Sequence, residues 1–138
     1  MNSIIEVTNQ VDALLSASPR RISEDRSNLL AQLTNLRDTV NQRRVSVATL
    51  ANFYERYPNI RAALRERDSE ATFGRLYRAL DSFFNEVKSL PPKPPGNFES
   101  TLRPYAGEVK LATTALSTWA DETRSFSNGQ SKELNNPR

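Results

Sequence analysis

The longest uninterrupted periodic stretch of the chain runs from Ser23 to Tyr57 and contains neither proline nor glycine. Its apolar residues recur alternately three and four positions apart, the spacing that lines one side of an α-helix. These residues are Leu29, Leu33, Leu36, Val40, Val47, Leu50 and Tyr54. At about 1.5 Å per residue such a helix measures roughly 50 Å, so it needs several partner helices to bury its stripe.

Arg43 occupies a slot of this stripe where an apolar residue is due. A lone polar residue at a seam position can fix the register or the oligomeric state of a bundle. Alternatively, the helix emerges from the bundle at this point, or the seam shifts so that Val45 faces inward. If the helix emerges, its second half becomes an apolar patch that seeks a partner. The candidate protein interface is therefore Val47, Leu50, Phe53 and Tyr54.

Three further segments carry the helical period. The first opens on Ser3 and Glu6, which have the spacing of a capping box, and Pro19 is expected to end it. Its apolar positions are Ile4, Val7, Val11, Leu14 and Leu15. The next segment has the widest and most aromatic face in the chain, formed by Phe73, Leu76, Tyr77, Leu80, Phe83, Phe84, Val87 and Leu90. The last keeps the alternation over Leu102, Tyr105, Val109, Ala112, Leu116, Trp119, Thr123 and Phe126.

Prolines and glycines mark the boundaries between these segments. Pro58 is expected to end the long helix and to start a short one, and the sequence leaves open whether that short helix joins the next. The sequence Ser127-Asn128-Gly129 predicts the end of the last helix. The proline-rich run at 91–96 favours an extended connector, with a docking ligand for an aromatic-lined groove as the alternative.

The predicted fold is therefore all-α, an elongated antiparallel bundle of four main helices plus one short helix. The main helices are expected at about 3–17, 23–57, 69–90 and 98–127, and the short one at 58–67. A chain of 138 residues suffices for a single core. We expect one helical-bundle domain at 1–127 and a polar C-terminal tail at 128–138.

Composition limits the chemistry that the chain can perform. It contains no cysteine and no histidine, which excludes thiol nucleophiles, disulfides, imidazole bases and metal sites built from these residues. The adjacent carboxylates Glu24-Asp25 and Asp121-Glu122 point about 100° apart on a helix, so neither pair forms a shared acid–base site. Four glycines form no phosphate-binding loop. We expect no enzymatic activity, no metal and no cofactor.

The same inspection bears on the compartment. No apolar run reaches the roughly 18 to 20 residues needed to cross a bilayer, and the first residues lack the pattern of a secretory signal. A cytoplasmic location without a membrane span is the expectation, and export without a classical signal stays open.

Arginine dominates the cations, with 15 Arg against 4 Lys at a net charge of +3. Its planar fork suits bidentate contact with carboxylates and phosphates. The arginines are densest between residues 56 and 78, and tyrosines at 54, 57 and 77 lie near them and offer rings for stacking. Acids lie between these arginines, which favours local neutralisation of their charge. These acids are Glu55, Glu66, Asp68 and Glu70. The candidate polyanion contacts are Arg43, Arg44, Arg56, Arg61, Arg65, Arg75 and Arg78.

Two hypotheses about function result. The first is a non-enzymatic interaction or assembly module that engages a protein partner, or another copy of itself, through an exposed apolar helix face. The second is arginine-mediated binding of nucleic acid or another polyanion, as in a small helical subunit of a nucleoprotein assembly. The first is favoured because the long helix carries more apolar stripe than its neighbours obviously cover.

Overall fold

The computed structural model describes residues 2–57 and 59–135, and the side chains of 4–57 and 59–122. The helices are α1 (Asn2–Glu24), α2 (Arg26–Arg56), α3 (Ile60–Ser89) and α4 (Phe98–Asn135). No strand occurs in the described residues. The predicted all-α class is confirmed.

The helices pack as a four-membered ring. α1 packs chiefly on α2 and α4, and α3 packs chiefly on the same two helices. Arg37 of α2 pairs with Asp81 of α3, whereas Glu55 of α2 pairs with Arg67 of α3. Because a later residue of α2 faces an earlier residue of α3, these two helices run antiparallel.

The same test places α1 antiparallel to α4. Thr8, early in α1, lies 3.3 Å from Ser117, late in α4, measured between hydroxyl oxygens. Ile22, near the end of α1, lines a crevice together with Leu102 near the start of α4. The predicted antiparallel bundle is therefore confirmed.

One face of each helix supplies the core. The predicted faces of α1, α3 and α4 are buried or half-buried wherever their side chains are described. Each large aliphatic side chain that is fully buried contributes about 1.5 to 3 kcal/mol. The buried cluster consists of Val7, Val11, Leu14, Ile22, Leu29, Leu33, Leu36, Val40, Phe73, Leu76, Ala79, Leu80, Phe83, Val87, Leu102, Val109, Ala112 and Leu116. Thr123 and Phe126 lie outside the described side chains.

The seam of α2 shifts by one residue after Val40. The next inward positions are Arg44 and Val47, both half-buried, and then Ala51, which is fully buried. Ala62 and Ala63, near the start of α3, are buried as well. Small side chains allow the two helices to approach closely, since interaxial distance depends on the residues at the contact.

This shift explains Arg43 and corrects two predictions. Arg43 is exposed because it lies outside the shifted seam. Leu50 is 44% exposed, so its place in the buried stripe was wrong. Val45 is 49% exposed, so the alternative in which Val45 faces inward was wrong as well.

α1 extends to Glu24 and does not end near residue 17 as predicted. Pro19 lies inside it and removes one intrahelical hydrogen bond, while the Ser18 hydroxyl donates to the Leu14 carbonyl at 2.6 Å. Burial of Ile22 in the turn after the proline offsets that loss. Asp25 alone separates α1 from α2, so α2 begins at Arg26 and not at Ser23 as predicted. Ser3 of the predicted capping box lies outside the described side chains.

α3 unites two predicted helices, 58–67 and 69–90, into one. Asn59 caps it, because its side-chain oxygen accepts from the Ala62 amide at 3.3 Å. Ser69, the predicted first residue of the second of these helices, is instead fully buried in mid-helix. The sequence left open whether these two helices join; the structure joins them, with buried residues on both sides of residue 68 at Ala62, Ala63, Ser69 and Phe73. Pro58 lies outside the described residues.

α4 begins at the predicted position but extends to Asn135, so the predicted end near residue 127 was wrong. A glycine in a helix costs only about 1 kcal/mol relative to alanine, and Gly129 by itself does not stop this one. Residues 136–138 lie outside the described residues. The division into a domain at 1–127 and a tail at 128–138 stays a prediction.

The proline-rich run connects α3 to α4, and Arg26 holds its start. The Arg26 guanidinium donates from Nη1 to the Leu90 carbonyl and from Nη2 to the Pro91 carbonyl, both at 2.7 Å. Leu90 caps the C-terminus of α3, where a cation also meets the negative end of the helix dipole. The first turn of α2 is therefore tied to the far end of α3.

Replacing Arg26 by alanine is expected to lower the free energy of unfolding by about 1 to 2 kcal/mol, because two charge-assisted hydrogen bonds are lost at a partly exposed site. Arg20→Ala is the matched control, since Arg20 makes only an exposed contact with Glu24 at 3.8 Å and is expected to cost less than about 0.5 kcal/mol. Urea denaturation measures both. Equal losses would contradict this role of Arg26.

Ser69→Ala is expected to raise the free energy of unfolding by about 0.5 to 1 kcal/mol. The Ser69 hydroxyl is fully buried and has no hydrogen-bond partner, so its removal ends an uncompensated desolvation cost, and alanine is the better helix former. Thermal and urea unfolding measure the change. Destabilisation would show that the hydroxyl has a partner in solution.

Candidate functional site

The largest exposed apolar residues of α2 lie together near its C-terminal end. We call Leu50, Phe53 and Tyr57 the α2 apolar strip. Their exposed fractions are 44%, 54% and 58%. Spacings of three, four and seven residues place them on one side of the helix. The strip is a surface that α2 leaves without cover inside the described chain.

α1 packs on this same side of α2 nearer to the N-terminus of α2. There, the Arg21 guanidinium of α1 donates to the side-chain oxygen of Gln32. Leu50 lies about five full turns beyond Gln32, so both side chains point to the same side of α2. The strip therefore continues a surface that already receives a helix.

Ring contacts organise the strip. The Phe53 and Tyr57 ring centroids lie 4.9 Å apart, and the Phe53 and Tyr54 rings meet edge to face at 5.8 Å. Such aromatic pairs restrict one another's rotamers and add about 0.5 to 1.5 kcal/mol beyond burial. A surface ordered in this way loses little conformational entropy when a partner binds.

The predicted interface residues divide between core and surface. Leu50 and Phe53 are exposed, whereas Tyr54 is half-buried and Val47 packs against the core cluster. Tyr57 was not among the predicted interface residues, although it lies four residues after Phe53 and shares its face. Ile60 and Leu64 of α3 were also missed. Both are exposed, and their four-residue spacing places them on one face.

Arg67 fixes the end of the α2–α3 hairpin. Its guanidinium bonds to Asn52 and to both carboxylate oxygens of Glu55 on α2, and to Glu70 on α3 at 2.8 Å. These hydrogen bonds hold the pKa of the Glu55 carboxyl below its usual range and raise the pKa of Arg67. The part of α2 that carries the strip is thereby fastened to α3.

The seven candidate polyanion contacts differ in their partners. Arg75 pairs with Glu108 of α4 at 3.0 Å. Arg44 and Arg78, by contrast, both approach Gly74 of α3. The other four, Arg43, Arg56, Arg61 and Arg65, form no ion pair among the described residues.

Within the described residues, no three acidic side chains come together as a metal site would require. None of the helical segments described has both the length and the hydropathy of a membrane span. No family model matches the chain, and neither a curated protein nor a solved structure matches it significantly. Any functional conclusion therefore depends on the geometry of these surfaces.

The Glu55 carboxyl is expected to titrate below its usual range in the wild-type protein and to return toward it in Arg67→Ala, because the guanidinium stabilises the charged form. A lowered folded-state pKa contributes stability that is present above the usual pKa of glutamate and is lost as the pH falls toward the lowered value. Carbon-13 NMR of the carboxyl groups measures both. Identical titration in the two proteins would contradict the pairing.

Proposed function

We propose that the chain is a non-enzymatic helical interaction module whose α2 apolar strip binds a helix of another protein molecule. One observation carries the proposal. Leu50, Phe53 and Tyr57 are exposed on the side of α2 that receives α1 elsewhere in the bundle. A helix laid against the strip would extend the helix packing already used inside the protein, in the manner of helix-in-groove recognition.

Charge indicates which kind of helix fits. Arg43 lies two turns before Leu50 on the same side of α2, and Arg56 adjoins Tyr57. Neither forms an ion pair among the described residues. A second copy would bring the same two cations to the interface, whereas a partner helix with acidic flanks would neutralise them. The proposed occupant is an amphipathic helix with acidic residues beside its apolar face.

The experiment selects binders from a display library of amphipathic helical peptides whose flanking positions vary between Glu and Lys. Peptides with acidic flanks are expected to dominate. Phe53→Asp is expected to weaken their binding by at least about tenfold, equivalent to about 1.4 kcal/mol, because it places a carboxylate in the centre of the strip. Isothermal titration calorimetry with the full chain measures the affinity.

Leu111→Asp is the matched control. Leu111 is an equally exposed apolar residue on α4, so this variant is expected to bind like the wild type, and circular dichroism checks that both variants remain folded. Equal losses in the two variants, or selection of peptides with basic flanks, would contradict the proposal. Sedimentation velocity measures the oligomeric state of the chain. Self-association that Phe53→Asp abolishes would identify a second copy as the occupant of the strip.

A further inference from the structure

We propose a second, separate site: Arg44 and Arg78, converging on Gly74 in the outer seam between α2 and α3, bind a single phosphate monoester dianion. A Cβ at position 74 would lie 3.3 Å from Arg78 Nη1 and 3.4 Å from Arg44 Cδ. Arginine side chains from two different helices therefore border the same point beside Gly74.

One of the two guanidinium groups is already oriented. Arg44 donates from Nε and Nη2 to the Asn41 side-chain oxygen, at 3.1 and 2.9 Å. This leaves its Nη1 hydrogens for a ligand. Within the described residues Arg78 makes neither a hydrogen bond nor an ion pair. Two planar guanidinium groups with free donors, on side chains that border the same point, suit the oxygens of a phosphate group.

Acids along the seam are engaged elsewhere. On one side of the site, Asp38 and Asp81 pair with Arg37. On the other side, Glu55 and Glu70 pair with Arg67. In the middle of the seam, Arg44 and Arg78 form no ion pair among the described residues. A dianion would remove the repulsion between Arg44 and Arg78.

The carboxylates on both sides of Arg44 and Arg78 also indicate the class of ligand. A nucleic acid needs a continuous series of cations that follows its phosphates, but here carboxylates lie on both sides of the pair. A compact phosphate monoester places two charges at one point and leaves those carboxylates uncontacted. Above its second pKa of about 6, such as that of a phosphorylated serine, it carries both charges.

The test titrates the isotope-labelled full chain with inorganic phosphate and with a phosphoserine peptide, at constant ionic strength and neutral pH. NMR of the arginine Nε–H groups is expected to show saturable shifts at Arg44 and Arg78. Gly74→Ala is expected to weaken binding at least about twofold, because its Cβ would lie 3.3 Å from Arg78 Nη1 and would shift that guanidinium without changing any charge. Gly107→Ala is the matched control, since its Cβ would meet nothing within 4 Å; wild-type affinity is expected.

Three results would overturn the site: shifts that chloride reproduces equally, equal affinities in the two alanine variants, or an oligonucleotide that binds these arginines more tightly than the phosphoserine peptide. Arg78→Gln provides a second variant with the same expected loss. Tighter binding of the peptide than of inorganic phosphate would assign the ligand to a phosphorylated protein, and equal binding would assign it to free phosphate. Either outcome supports the site.

Discussion

The antiparallel pairing of α2 with α3 is the constraint on which the other features of this protein depend. Only residues 57–59 connect the two helices, so the short turn fixes which residues face each other. Arg37 meets Asp81, and one heptad further along α2, Arg44 meets Gly74. Closer to the turn between the two helices, Arg67 of α3 pairs with Glu55 of α2. The register of one helix pair therefore sets the charge pattern of the whole seam.

The two proposed sites arise from this pairing on different sides of α2. α3 accompanies α2 over its 31 residues, but α1 has 23 and covers its own side of α2 less far. The uncovered part of that side carries Leu50, Phe53 and Tyr57. Arg44 points about 120° away from Leu50 around the helix axis. A helix on the strip and an anion in the seam can consequently be bound at the same time.

Arginine has three different roles in the bundle. Arg26 donates to the carbonyl groups that follow α3, while Arg37, Arg67 and Arg75 form ion pairs between helices. Exposed pairs of this kind contribute little to stability individually, yet they use up the acids of the seam. Arg44 and Arg78 differ from these arginines because the nearby acids of the seam already form ion pairs with Arg37 and Arg67. An arginine-rich composition is by itself compatible with all three roles.

The sequence by itself determined the all-α class, the buried faces of α1, α3 and α4, and the start of α4, because helical periodicity and local breakers act over a few residues. Tertiary packing decided the rest. It carried α1 through Pro19, where burial of Ile22 extends the helix, and α3 across residue 68, where Ala62, Ala63 and Phe73 are buried on either side. It also moved the α2 seam from Leu50, which is 44% exposed, to the fully buried Ala51. Leu50 and Phe53 could be nominated from spacing alone, but the meeting of Arg44 and Arg78 over Gly74 joins positions about 30 residues apart. Only the register between two helices brings such positions together.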